Sequence, residues 1–107
     1  IGDATLDIIR LIKKIKFLIV TTPSQLAFET VRKLISLLRD LRVPIIGVVE
    51  NMKLNQSKLI QQQVESMNVT FLVKIPFEAT IEENIGNINK LLETVFAEKV
   101  EEIISRI

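Results

Sequence analysis

Cys, His, Trp and Tyr are all missing from this sequence of 107 residues. Without Cys the chain can form no disulfide and offers no thiolate to a metal or a cluster, which agrees with an intracellular, cytoplasmic setting. Without His it lacks the commonest acid–base group and the commonest metal ligand, so any nucleophile–base pair would need Ser, Lys or carboxylates. The only glycines are Gly2, Gly47 and Gly86, too sparse to form a phosphate-cradling loop. No apolar run approaches the roughly 20 residues that span a bilayer. The chain opens on Ile1 with no signal-peptide pattern, and so reads as part of something longer. A formal net charge of +1 gives no reason to expect nucleic acid or an acidic membrane surface. Taken alone, the chain shows no enzyme.

What is present is a soluble, globular composition, 48% apolar and 25% charged, enough for one domain with one core. The central stretch is Val43 to Met52, Val-Pro-Ile-Ile-Gly-Val-Val-Glu-Asn-Met. A short β-branched run bounded by proline and polar residues reads as a buried strand, here Ile45 to Glu50. Phe17 to Thr22, stopped by Pro23, and Thr70 to Ile75, stopped by Pro76, are two more. Between them lie amphipathic segments. Gln25 to Arg42 is capped by Ser24, with Ala27, Val31, Leu34, Leu38 and Leu41 on one stripe. Ser57 to Met67 turns Leu59, Ile60, Val64 and Met67 inward, with Asn68 as a left-handed cap.

The flanks are helical too. Residues 4–14, capped by Asp3, carry Leu6, Ile9 and Ile12 at helical spacing, and Lys13 and Lys14 suit the helix's negative end. Thr80 caps a short helix from Ile81 to Ile85 that Gly86 closes, and Asn87 to Glu93 is ambiguous. Thr94 to Arg106 forms a last helix, burying Val95, Phe96, Val100, Ile103, Ile104 and Ile107 on one face. Strands alternating with helices indicate an α/β fold, a parallel sheet flanked by helices. Three strands leave an open sheet edge.

In open parallel sheets, ligands bind beyond the carboxyl ends of the strands. Thr21 and Thr22, Glu50 and Asn51, and Pro76, Phe77 and Glu78 should converge there. The amide of Asn51 can donate and accept at once, which recognition of a base edge requires. An equally ordinary use is to turn the chain or cap the next helix. Glu98, Glu101 and Glu102 read as a solvated face, and Glu82 and Glu83 as charges favoured in a first helical turn.

Taken in order, Thr21-Thr22-Pro23-Ser24-Gln25, Arg32-Lys33, Val43 to Met52 and Ile75-Pro76-Phe77-Glu78 resemble the C-terminal half of Mrp-type ATPases. These belong to the MinD/ParA branch of P-loop NTPases. Gly2-Asp3 resembles the end of that family's Pro-Pro-Gly-x-Gly-Asp switch segment, and Ile75-Pro76-Phe77-Glu78, followed by Ile81-Glu82-Glu83 and Gly86, its Ile-Pro-x-Asp…Gly element. The resemblance makes residues 1–107 a single partial domain, the C-terminal portion of a nucleotide-binding domain. It implies that Asn51 reads adenine, that Pro76, Phe77 and Glu78 wall the base pocket, and that Asp3 lies near the switch. It also implies ATP and Mg²⁺ in the complete protein, a homodimer, and work in iron–sulfur cluster assembly.

Two departures limit it. The family's phosphate loop is absent from these residues, so phosphate affinity and hydrolysis should be lost. Its Cys-x-x-Cys pair is replaced by Lys53-Leu54-Asn55-Gln56-Ser57, so this chain holds no cluster ligands. The alternatives are a non-catalytic binding or assembly module docking a protein partner at the open sheet edge, and a septum-positioning ATPase. The latter would end in a basic membrane helix, whereas Glu98-Lys99-Val100-Glu101-Glu102 is acidic.

Overall fold

The computed structural model describes Asp7 and residues 14–107. The helix expected over residues 4–14 and the residue Asp3 therefore fall, Asp7 and Lys14 apart, outside the described residues. Three strands, β1 (Phe17–Thr21), β2 (Ile45–Lys53) and β3 (Phe71–Pro76), form a parallel sheet in the order β1-β2-β3. Helix α1 (Gln25–Asp40) links β1 to β2, and α2 (Leu59–Ser66) links β2 to β3. Two short helices, α3 (Thr80–Glu83) and α4 (Ile88–Leu92), lead to α5 (Val95–Arg106).

Each face of the sheet has its own core. On one, Phe28, Ile35 and Leu38 of α1 and Ile60 and Val64 of α2 pack on Ile19 and Val48. Both crossover helices share this face, as right-handed connections between successive neighbouring strands require. On the other, Ile103 of α5 packs with Val49, Leu72, Val73 and Ile75, and Phe96 is half-buried beside them. Arg106 at the end of α5 donates to the carbonyl of Leu72, tying the helix to β3. Gly47 lets β2 and β3 approach closely: a Cβ there would lie 2.6 Å from Leu72 Cγ and 2.9 Å from the Thr70 carbonyl oxygen.

Helix α1 begins as the sequence predicts, with Ala27 N donating to Ser24 Oγ at 3.3 Å. Its buried stripe is Phe28, Val31, Ile35 and Leu38, rotated from the expected one, and Leu41 is an exposed C-cap. The rotation buries Phe28 and Ile35, which are larger than the half-buried Ala27 and contribute more on burial. The helix ends through a left-handed Arg42 (φ 58°), with Val43 N donating to Leu38 O at 2.9 Å. Asn68 (φ 60°) closes α2 by the same motif, in the role its sequence suggests.

Other expectations need correcting. Leu59 is exposed, because α2 touches the sheet only through the stripe holding Ile60 and Val64. Thr80 lies inside α3 rather than capping it, since the preceding Ala79 is already helical. Asn87 resolves the ambiguous segment by capping α4, accepting from Lys90 N at 3.2 Å. In α5, Val95, Ile104 and Ile107 are exposed, because the helix covers β3 along one narrow stripe. Among the described residues, no helix is long and apolar enough to cross a membrane.

Candidate functional site

The site is built at the carboxyl end of β2, which does not stop at Glu50 but runs on to Lys53. Thr21 pairs with Glu50 and Glu50 with Lys74, then the ladder skips to Lys53 opposite Pro76. Asn51 and Met52 form the resulting bulge, and Met52 takes a left-handed conformation (φ 59°) that is uncommon outside glycine. Two charged side chains hold it closed. Lys53 Nζ donates to Glu50 Oε2 at 3.2 Å, with the side chains 6% and 1% exposed. Charges this deep are tolerated only as a pair, so the pair fixes the ends of the bulge on either side of Asn51.

Asn51 is thereby displayed at the rim, half-buried. Its Oδ1 accepts from Met52 N at 2.9 Å, which orients the amide and leaves its nitrogen without a protein partner among the described residues. Beside it the end of β3 turns. Phe77 N donates to the Lys53 carbonyl at 2.9 Å, locking Pro76-Phe77 against the bulge. Asn51, Pro76, Phe77 and Glu78 then meet around one recess of about 100 Å³, floored by Ile81 and Phe96. These are the four residues for which the resemblance implies a part in the base pocket.

Glu78 has a structural duty as well. Its Oε1 accepts from Phe96 N at 2.8 Å, in the first turn of α5, where free backbone N–H groups favour a carboxylate. It anchors α5 beside the recess. Thr21 is buried and its hydroxyl donates to the Thr22 carbonyl at 3.1 Å, so it shapes the neighbouring strand end. Asp3 lies outside the described residues. An oriented amide above proline and phenyl surface suits a flat ligand with a polar edge. Among the described residues, no group of three or more acidic side chains could hold a metal ion.

The sequence reading assigns no site role to Lys53 and does not foresee the larger cavity of about 440 Å³ that it lines with Lys74 and Lys99. The one available signal was the spacing of Glu50 and Lys53, which becomes an ion pair only once the bulge folds.

Comparison with known proteins gives the chain a lineage. A 51-residue stretch, 48% of the chain, is 33% identical to an iron-sulfur cluster carrier protein of Aquifex aeolicus (strain VF5). The match spans 14% of that relative's own length. The family described as ParA, NUBPL iron-transfer P-loop NTPase, matches residues 1–107. With a parallel α/β sheet and a match along its whole length, the chain belongs to the ParA family of iron-transfer P-loop NTPases.

Proposed function

We propose that these residues form the C-terminal part of an ATP-binding, Mrp-type member of the family and supply the adenine side of its nucleotide site. The observation that carries this reading is the convergence of Asn51, Pro76 and Phe77 on one recess at the carboxyl ends of parallel strands. Asn51 would read the base edge with its free amide nitrogen, while Pro76 and Phe77 would cover the ring. The phosphate cradle and the Mg²⁺ site would come from elsewhere in the complete protein, because this chain has no Gly-rich loop. The resemblance implies a homodimer with nucleotide at the interface, and we propose that state here. Iron–sulfur clusters would be cargo, held by ligands outside these residues, since the chain has no Cys.

The test is ATP binding by the full-length protein and its Asn51→Ala variant, measured by calorimetry. Loss of the amide should cost about 1–3 kcal/mol of binding free energy. Equal affinities would make Asn51 a turn residue and remove the base-reading role. The alternative, a non-catalytic assembly module, draws on the exposed side chains of Leu18 and Val20 on β1, an edge strand among the described residues, where a protein partner could dock. A phosphate-binding loop encoded upstream of Ile1 would exclude it.

A further inference from the structure

The Pro76-Phe77 segment separates the base recess from a second, larger cavity of about 440 Å³. Three lysines from three elements line it: Lys53 from β2, Lys74 from β3 and Lys99 from α5. Among the described residues, no carboxylate does. Lys53 is neutralised by Glu50 at 3.2 Å, deep inside the protein. Lys99 faces Glu102 at 3.4 Å, but both side chains are partly exposed, 34% and 46%, so water screens that pair. Lys74, half-buried, has no acidic partner among the described residues. The cavity therefore carries net positive charge against partly desolvated walls, an arrangement that concentrates anions.

The rest of the lining narrows the ligand. Asn55 and Gln56 add amide donors from the loop after β2, and Leu54 and Phe77 expose apolar surface, 78% and 52% accessible. A bare inorganic ion would use only the cationic part and leave this surface wet. A ligand with an anionic head and an apolar body would use both.

We propose that this cavity is a binding site for an organic oxyanion, a phosphate or carboxylate joined to an apolar body, with Lys74 as its principal contact. Lys99 adds a second, weaker attraction, and Leu54 covers the body. The site adjoins the proposed base recess, Pro76 and Phe77 lining both, while its lysines line only this cavity.

Calorimetric titration of the full-length protein with phenyl phosphate, benzoate and inorganic phosphate, all in saturating ATP, tests this. ATP keeps any phosphate-binding loop filled, so what is measured is binding elsewhere. Phenyl phosphate or benzoate should bind saturably and more tightly than inorganic phosphate, and the tighter of the two names the head group. Lys74→Gln should weaken that binding about ten-fold, the value of one charge-assisted contact. Lys99→Gln should weaken it less, and Leu54→Ser should lower affinity for the organic ligands but not for inorganic phosphate. These side chains are at least partly solvent-facing, and an unchanged melting temperature confirms each fold. No saturable binding, or binding unaffected by Lys74→Gln, would overturn the proposal. A failed Asn51→Ala test would leave it standing.

Discussion

Lys53 and Glu50 show how a buried ion pair can shape a base recess that neither of them lines. Each is nearly inaccessible, so each depends on the other for compensation. Lys53→Met would leave Glu50 alone in the interior, and we expect a loss of about 3–5 kcal/mol in urea unfolding. Replacing both, Glu50→Leu with Lys53→Met, should recover most of that, because well-packed apolar groups often match a buried ion pair. The double variant would still disturb the bulge, and its deficit would then appear in ligand binding rather than stability. A cost below about 1 kcal/mol for Lys53→Met would mean that water reaches the pair. Gly47 is a second residue fixed by its surroundings. Its missing Cβ faces a backbone oxygen at 2.9 Å, which cannot swing aside as a side chain would. Gly47→Ala should therefore cost about 1–3 kcal/mol by overpacking, read as a lowered melting temperature.

Among the elements, α1 and α2 end alike but with different residues at the left-handed position. Asn68 accepts that conformation at little cost, whereas Arg42 pays for its Cβ. Arg42→Gly should stabilise the protein by about 1 kcal/mol in thermal unfolding, and no gain would mean that the arginine's own contacts offset the strain. These ends also show what the sequence can disclose. Asn68 was legible because asparagine tolerates that turn; Arg42 was not, since nothing in its chemistry announces it. Element order was legible from periodicity and from Pro23, Pro44 and Pro76. The faces were less so. A window holding Ala27, Phe28, Leu34, Ile35 and Leu41 fits two overlapping stripes, and only packing chooses the one with Phe28 and Ile35. In α5 the apolar residues outnumber the positions that β3 can cover, so Ile104 and Ile107 stay in water.

For the molecule as a whole, the recess was legible because strand order brings Asn51, Pro76, Phe77 and Glu78 to the same end of the sheet. The bulge and the lysine cavity were not, because both depend on register between strands that pair across the fold. The same scale limits what the chain can do alone. Leu18 and Val20 lie exposed on β1, which has a single neighbour among the described residues, and the recess measures only about 100 Å³. On the proposed reading, most ATP affinity resides in a phosphate loop that these residues lack. Ligand bound only to the native state stabilises it by about 2.7 kcal/mol at a hundred times Kd, and by almost nothing well below Kd. Millimolar ATP with Mg²⁺ should therefore raise the melting temperature of the full-length protein clearly and leave that of the 107-residue chain unchanged. An equal rise in both would assign the affinity to the base recess itself, and the division of labour proposed for the two halves would fail.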